Sequence, residues 1–347
     1  MSATRVKVAF ASVLFVGLVS AQTYTLPTSN TTENLRGIST PTNSVAWASG
    51  THGTYLLTTD GGKTWRAAQV PDGESLDFRD VAAFDDHKAY LLAAGPGDQS
   101  RIYRTTDGGK NWTLQFTNVD PKGFFDCMAL WDFNNGIAIG DPVNGKFQLI
   151  ETDDAGKSWK PIPSGSLPPA IDGEGAFAAS GTCIAVNASG HAWFATGGKV
   201  ARVFRSSDFG KTWNVSDTPI IHGSDSTGIF SIVFRDLLHG VVAGGDYKQP
   251  EKDGPNLAYT EDGGISWKLS PLSPQFYFSA VGYSSKQRAA QNLIILGSAH
   301  AAYADQPGNK SWRKVWDMNL NSVSVRPDGS AIAVGPKGTI VAISPAQ

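Results

Sequence analysis

The stretch Thr58-Thr59-Asp60-Gly61-Gly62-Lys63-Thr64-Trp65 decides how the chain is interpreted, because it recurs along the sequence. Four further copies contain Asp107 and Trp112, Asp154 and Trp159, Asp208 and Trp213, and Asp262 and Trp267, and a damaged copy spans residues 305–312. The intervals between successive Trp residues are 47, 47, 54, 54 and 45 residues. Spacings near the range of roughly 20 to 50 residues indicate a structural unit repeated in a solenoid, a propeller or an array.

The repeated pattern, Ser/Thr-x-Asp-x-Gly-x-Ser/Thr-Trp, resembles the Asp box of the BNR-repeat propellers in the sialidase-like superfamily. Four copies match at every position, and the copy at Asp107 has Asn111 in the second hydroxyl position. Each part suits a β-hairpin turn: Asp accepts hydrogen bonds from turn amides, Gly adopts backbone conformations that other residues avoid, and Trp buries a large ring. We interpret the boxes as structural turns, with ligand contact as the alternative. The resemblance implies that they lie between the third and outermost strands, away from the site face.

Dividing the chain at the boxes gives seven units, which predicts an all-β fold: a seven-bladed β-propeller of four-stranded antiparallel blades. The innermost strands are predicted to begin near Arg36-Gly37-Ile38, Arg79-Asp80-Val81, Asp126-Cys127-Met128, Phe177-Ala178-Ala179, Phe230-Ser231-Ile232, Phe278-Ser279-Ala280 and Ser322-Val323-Ser324. The last unit lacks a fourth strand, and an open edge strand invites pairing with other chains. The alternating segment Thr23-Tyr24-Thr25-Leu26 is therefore predicted to close the last blade as its outer strand.

Composition agrees with this fold and narrows the classes of partner. The 347 residues include 38 Gly, 19 Pro and 10 Trp, which suits many short strands joined by tight turns. The formal net charge is −2, so the basic excess that nonspecific nucleic-acid binding requires is missing. We therefore expect no nucleic-acid partner.

The first residues have the features of a signal peptide. Arg5 and Lys7 precede an apolar run over residues 8–19, and Val19-Ser20-Ala21 offers small residues where a signal peptidase cleaves. The run is too short for a comfortable membrane span. We predict that residues 1–21 are removed and that residues 22–347 form one exported domain, periplasmic or extracellular. The alternative is an uncleaved anchor.

Two cysteines, Cys127 and Cys183, open predicted innermost strands of adjacent units. Disulfides persist in exported proteins, but the geometry that they require is demanding. The sequence is compatible both with a disulfide and with a pair of buried free thiols.

One end of the central channel is the expected binding face, because the loops into the inner strands and between the second and third strands meet there. The polar residues predicted on it are Arg36, Arg79, Asp80, Asp126, Asp141, Glu174, Arg202, Asp246, Lys248 and His300. Mixed carboxylates and arginines can bind a sugar, a peptide or a metal, and the alternative is a hydrated network of ion pairs. The long loops at residues 164–175, 222–228 and 247–255 are of the kind that carries function on a rigid frame.

The leader, the boxes and the phrases at residues 193–198 and 244–247 resemble bacterial members of the photosystem II stability and assembly factor-like family. The likeness covers nearly all of the mature chain, but only the boxes are specific motifs, and sialidases and other glycosidases share them. The resemblance implies a noncatalytic propeller, a scaffold that binds a protein complex or an assembly intermediate. Peripheral membrane association through that partner and binding of a carbohydrate are secondary expectations.

A glycoside hydrolase is the alternative function. Retaining and inverting enzymes need two acids at set separations, and the candidates are Asp80, Asp126, Asp141, Glu174 and Asp246. A sialidase is not expected, because Phe-Arg-Ile-Pro is absent and Tyr303 and Arg326 lack a convincing context.

No cofactor and no metal are predicted. The six His residues show no pair at ligand spacing, and no Cys pair suggests zinc. A glycine-rich dinucleotide fingerprint between a strand and a helix is also missing from the sequence.

Overall fold

The computed structural model describes residues 24–271, 276–283, 293–298, 301–304 and 312–344. These residues form β-strands and two short 3-10 helices, Gly97–Gln99 and Ser164–Ser166. None of the helices in these ranges is long and apolar enough to cross a membrane. The predicted signal peptide, His300 and the Asp of the damaged box lie outside the described residues.

Thirty strands follow one another along the described ranges. The first fifteen are β1 Tyr24–Thr25, β2 Leu35–Ser39, β3 Ala46–Gly50, β4 Thr54–Thr58, β5 Arg66–Gln69, β6 Phe78–Ala83, β7 Ala89–Ala93, β8 Arg101–Thr105, β9 Thr113–Thr117, β10 Phe125–Leu130, β11 Gly136–Val143, β12 Lys146–Thr152, β13 Lys160–Pro161, β14 Glu174–Gly175 and β15 Ile184–Val186. The others are β16 Ala192–Ala195, β17 Gly197–Gly198, β18 Arg202–Ser206, β19 Asn214–Asp217, β20 Thr227–Phe234, β21 Gly240–Asp246, β22 Leu257–Thr260, β23 Lys268–Leu269, β24 Ala280–Tyr283, β25 Leu293–Leu296, β26 Ala301–Ala304, β27 Trp312–Trp316, β28 Ser322–Val325, β29 Ala331–Val334 and β30 Ile340–Ile343.

Six sheets consist of four antiparallel strands. Their strand orders are β2-β3-β4-β5, β6-β7-β8-β9, β10-β11-β12-β13, β15-β16-β18-β19, β24-β25-β26-β27 and β1-β30-β29-β28. The innermost strands contact each other in sequence, β2 with β6, then β10, β15, β20, β24 and β28, and β28 contacts β2 again. The sheets therefore stand around a closed central channel, as in a β-propeller.

The prediction of seven four-stranded blades is wrong: the structure has six blades of that form. The remaining sheet has six strands, in the order β14-β17-β20-β21-β22-β23. In it, Gly197 of β17 pairs with Gly228 of β20. A Cβ on Gly197 would lie 2.8 Å from the Cα of Gly228, so only glycine allows the two backbones to approach. This glycine contact adds β14 and β17 to the neighbouring sheet.

The innermost strand predicted at Phe177-Ala178-Ala179 is also wrong, because β15 begins only at Ile184. Residues 176–182, termed the crossing segment, span the channel instead. Ser180 Oγ donates to the carbonyl oxygen of Ser279 at 2.9 Å, and Ser322 Oγ donates to that of Ser180 at 2.9 Å. The crossing segment thus contacts innermost-strand residues on the far side of the ring.

The N-terminal segment closes the last sheet, as its alternation predicted. Tyr24 pairs with Ile343 and Thr25 with Ala342 in an antiparallel register. A side-chain hydrogen bond also links the first and last units: the side-chain amide of Asn321 donates to the carbonyl oxygen of Leu35 at 2.7 Å. The first and last units are therefore joined by hydrogen bonds.

The five described repeat motifs form one kind of hydrogen-bonded turn between a third and a fourth strand. In the first copy, Thr64 N donates to Asp60 Oδ1 at 3.0 Å and Thr64 Oγ1 donates to Asp60 Oδ2 at 2.6 Å. Asn111 replaces the hydroxyl in the second copy, and its side-chain amide donates to Asp107 Oδ2 at 2.7 Å. The backbone and side-chain hydrogen bonds from Asn111 lower the pKa of Asp107 to about 2.

We expect Asp208→Ala to lower the free energy of unfolding by about 1 kcal/mol, because Asp208 accepts hydrogen bonds from Ser206 Oγ, Thr212 N and Thr212 Oγ1. Urea denaturation followed by tryptophan fluorescence measures the change. Asp153→Ala is the matched control, since the exposed Asp153 carboxylate contacts only Lys160 at 3.6 Å. Equal losses in the two variants would contradict a structural role for the motif aspartate.

A disulfide joins Cys127 of β10 to Cys183, which precedes β15. The two Cα atoms lie 6.1 Å apart, and both side chains are buried between adjacent sheets beside Phe147 and Phe194. Of the two alternatives that the sequence left open, the structure contains the bridge.

The bridge closes a loop with a sequence separation of 56 residues. Restricting an unfolded loop of this length stabilises the fold by about 4 kcal/mol in the chain-entropy model. The Cys127→Ala/Cys183→Ala variant should therefore unfold at lower guanidinium concentration than the oxidised protein. Adding reductant should lower the midpoint of the wild type and leave that of the double variant unchanged; an unchanged wild-type midpoint would rule out a stabilising bridge.

Candidate functional site

The innermost strands begin, and the second strands end, at one end of the ring, termed the channel face. Phe78 at the start of β6 pairs with Ala93 at the end of β7, and other sheets repeat this register. The motif turns lie at the opposite face, where Gly61 N donates to the carbonyl oxygen of Ser44 in the turn between β2 and β3 at 2.8 Å. Residues at the strand starts and in the loops after the second strands are consequently collected on the channel face.

Asp80 and Asp141 are carboxyl groups that the fold removes from water. Asp80 is 5% exposed, and its Oδ2 accepts a hydrogen bond from Met128 N at 2.8 Å. Burial raises its pKa to about 7. Asp141 Oδ1 accepts a hydrogen bond from Ala176 N at 2.9 Å, and burial raises the pKa of Asp141 to about 6. The Asp141 side chain contacts the crossing segment through this hydrogen bond, and the Asp80 side chain faces the same segment.

Asp126 is the least satisfied of the predicted acids. It is 1% exposed, and its Oδ2 has no hydrogen-bond partner. Burial and the neighbouring Asp141 carboxylate raise the pKa of Asp126 well above its usual range, against the opposing charge of Arg79. Both effects favour the protonated form of the side chain.

Glu174 and Arg202 form a buried ion pair. Arg202 donates through Nε to Glu174 Oε1 at 2.9 Å and through Nη2 to Oε2, and Thr196 Oγ1 donates to Oε1 at 2.6 Å. The Arg202 side chain is 9% exposed and the Glu174 side chain is 0% exposed. Because both carboxylate oxygens of Glu174 and the Nε and Nη2 groups of Arg202 are engaged, this pair fixes β14 against β18 rather than offering a free carboxylate.

Asp246 is the last residue of β21, and Lys248 lies in the loop that follows. Asp246 is buried and its Oδ1 accepts a hydrogen bond from Lys248 N at 3.0 Å, so its carboxylate orders the turn. The Lys248 ammonium lies 5.9 Å from the ring centroid of Tyr247, which is 45% exposed. Lys248 and Tyr247 therefore present a cation and an aromatic ring to solvent.

Arg36 and Arg79 are two arginines at the starts of innermost strands on the channel face. Arg79 Nε donates to Asp77 Oδ2 at 2.8 Å, and its Nη1 donates to the carbonyl oxygen of Ala178 at 3.2 Å. Arg36 has no ion pair with a described carboxylate, and its buried Nε has no hydrogen-bond partner. Burial, followed by the charge of Arg79, lowers the pKa of Arg36. No described residue accepts a hydrogen bond from its terminal Nη groups, and the side chain is only partly buried, so these groups have donors available for a ligand.

Sequence reasoning missed an aromatic cluster beside Arg36. Phe177 stacks on Phe230 with ring centroids 4.0 Å apart, and Tyr277 meets Phe230 edge-on at 4.8 Å. The ring of Tyr247 packs against Phe230 at 6.1 Å. Phe230 opens a strand that the sequence placed, Tyr277 precedes another, and Tyr247 begins a loop that the sequence marked, but Phe177 was assigned to a strand that does not exist.

A cleft of ≈ 360 Å³ lies on the same face. It is lined by the predicted site residues Asp141 and Glu174, together with Lys122, Phe177 and Asp225. Asp225 was not predicted individually, although it belongs to the loop at residues 222–228 that the sequence marked as functional. The cleft therefore brings together loops of three neighbouring units.

Comparison with known proteins identifies the fold. No protein-family model matches the chain, and no curated protein matches it in sequence. The chain is similar to the solved structure described as "YCF48 bound to D1 peptide", with a TM-score of 0.64, 17% identity, and coverage of 92% of this chain and 96% of that chain. It is also similar to "YCF48 from Cyanidioschyzon merolae", with a TM-score of 0.64, 17% identity, and coverage of 93% and 99% respectively. "Structure of U3-55K" follows with a TM-score of 0.64, 12% identity, and coverage of 92% and 98%. At these identities the comparisons show the β-propeller fold alone.

We expect Asp126→Asn to stabilise the protein by about 1 kcal/mol or more near pH 8, and to have no such benefit near pH 4. Because the folded-state pKa of Asp126 is raised, its contribution to stability is present at low pH and is lost as the pH rises. Chemical denaturation at the two pH values measures the difference.

Glu174→Gln is the matched control for this prediction. It neutralises a second buried carboxylate on the channel face, but one that is paired with Arg202. We expect it to lose about 3 kcal/mol near pH 8, since the guanidinium would be left buried without its partner. A loss of stability in Asp126→Asn at both pH values would contradict the assignment of an uncompensated acid.

Proposed function

We propose that this protein is a noncatalytic, exported β-propeller that binds a peptide segment of a protein partner on its channel face. The observation that carries the proposal is Arg36, a partly buried cation without a carboxylate partner, beside Tyr277. A guanidinium with unused donors matches the carboxylate of an acidic side chain or of a chain terminus. The aromatic cluster next to it, with the exposed ring of Tyr247, supplies apolar contact area for the same peptide.

The comparisons support this proposal at the level of the fold. One similar propeller is described as bound to the D1 peptide. By extension we propose an assembly or stability factor like those of photosystem II, built from BNR-type Asp-box repeats. Its partner is a protein complex or an assembly intermediate, and any association with a membrane is peripheral and passes through that partner. The buried disulfide supports export, since such bonds persist in oxidising compartments.

The environments of the acids favour binding over glycoside hydrolysis. Asp80 and Asp126 are buried, Asp246 orders a turn, and Glu174 is paired with Arg202. Asp141 is the predicted acid that both retains partial exposure and lines the cleft. A hydrolase of the usual kind needs two acids that reach the substrate.

We expect Arg36→Gln to weaken peptide binding at least tenfold, the effect of losing one charge-assisted contact. The probes are fluorescein-labelled synthetic peptides with acidic residues and free C-terminal carboxylates, selected from an array by the wild-type protein and measured by fluorescence polarisation. Lys88→Gln is the matched control, because it removes one positive charge from an exposed side chain in the turn between β6 and β7, on the opposite face.

Equal affinity of wild type and Arg36→Gln for every selected peptide would refute the proposed site. Turnover of chromogenic glycosides or polysaccharides, abolished by Asp141→Asn, would instead support the hydrolase.

A further inference from the structure

The cleft on the channel face is polar and only partly enclosed by side chains. Asp141, Phe177 and Asp225 contribute to its lining, and four glycines form much of the rest. Its volume of ≈ 360 Å³ falls within the range of roughly 300 to 1,000 Å³ that is usual for small-ligand sites. The space is therefore sufficient for one side chain of a partner.

Asp141 keeps hydrogen-bonding capacity toward this cleft. Its Oδ1 accepts from Ala176 N, and no described residue donates to its Oδ2. Gly175 allows the approach, because a Cβ at that position would lie 2.7 Å from Asp141 Oδ1. A carboxylate has acceptor sites on both oxygens, so Asp141 can accept further hydrogen bonds from a ligand.

The charges around the cleft leave an excess of acid. Glu174 is neutralised by Arg202, and Arg79 is paired with Asp77. Asp141 and the exposed Asp225 have no ion pair, and neither has Asp126, whose unpartnered Oδ2 is buried close to Asp141. Lys122, also without an ion pair, is a single exposed cation on the cleft lining. A ligand cation would therefore improve the electrostatic environment of the half-buried Asp141 carboxylate.

The arrangement suits an organic cation better than a metal ion. Across the described residues, the one group of three ligand atoms close enough to hold a metal belongs to Asp85, Asp86 and His87, on the opposite face. The cleft offers carboxylates together with the ring of Phe177 and with Pro142. Such a lining fits an ammonium or guanidinium group at the end of an apolar methylene chain.

We propose that the cleft binds the side chain of a lysine or arginine in the partner peptide, with Asp141 as the principal acceptor and Asp225 as a secondary charge at the opening. This inference rests on the proposed peptide-binding function and adds a second specificity element to it. The peptide would place an acidic group at Arg36 and a basic side chain in the cleft.

The test uses two small probes and the full chain. Nα-acetyl-lysine N-methylamide carries the cation, and Nα-acetyl-norleucine N-methylamide has a similar chain without the charge. NMR titration of the protein measures both affinities. We expect saturable binding of the lysine probe at the cleft residues and at least tenfold weaker binding of the norleucine probe.

Variants then assign the acceptor. Asp141→Asn should weaken binding of the lysine probe at least tenfold, and Asp225→Asn, in an exposed loop, should weaken it about threefold. Asp98→Asn is the matched control and should have no effect, because Asp98 is an exposed acid on the channel face outside the cleft. Equal binding of the two probes, or binding that neither cleft variant reduces, would overturn the inference.

The pH dependence gives an independent readout. The charged or titratable groups on the cleft or beside it are Asp126, with its neighbour Arg79, Glu174, Arg202, Lys122, Lys199 and Asp225. Burial raises the pKa of Asp141 to about 6, so its charged form is scarce near pH 5 and predominant near pH 8. We expect the lysine probe to bind about tenfold more tightly at the higher pH, and a flat profile would contradict the role of Asp141.

The outcomes separate this inference from the proposed function. Peptide binding that depends on Arg36, without binding of the lysine probe, would refute the cleft and retain the peptide site. Binding of the lysine probe that depends on Asp141, without any Arg36-dependent peptide, would refute the peptide site and retain the cleft.

Discussion

Apolar packing between the first and last sheets holds the ring closed, and every channel-face contact depends on it. Leu35 and Ala48 of the first sheet share one buried cluster with Ile332, Val334 and Ile340 of the last sheet. Burial of such side chains is the main favourable contribution to folding, roughly 25 cal/mol for each Å² of apolar surface. Without this seam the innermost strands would form an open array. Arg36 and Arg79 would then have no fixed relation to the acids across the channel.

The sequence predicted those parts of the fold that depend on local interactions. A motif turn is determined within eight residues, so the positions of the strands around Asp60 or Asp208 followed from the repeat. The six-stranded sheet could not be predicted in this way, because it arises from the contact of Gly197 with Gly228, 31 residues apart in the sequence. The crossing segment was misassigned for a similar reason. Phe177-Ala178-Ala179 has the composition of a strand, but the carbonyl oxygen of Ala178 accepts a hydrogen bond from the side chain of the distant Arg79.

For the candidate site, the sequence predicted which residues lie on the face but not the environment of each one. The sequence placed Arg36 and Arg202 on one face, but could not distinguish an arginine paired with Glu174 from one with unused donors. Acids of identical chemistry likewise differ: Asp246 orders a turn, whereas Asp126 is buried with an unsatisfied oxygen. These differences are set by partners contributed from other units. The hydrogen bonding and charge of the channel-face residues therefore depend on the assembled units and do not follow from any one unit alone.

The crossing segment has a consequence for how any ligand can come and go. Because residues 176–182 are bonded to Ser279 and Ser322 on the far side of the ring, the axis is obstructed by the chain itself. A long polymer cannot thread from one face to the other. Molecules therefore reach the two faces independently. A bound partner dissociates from the same face that it approached.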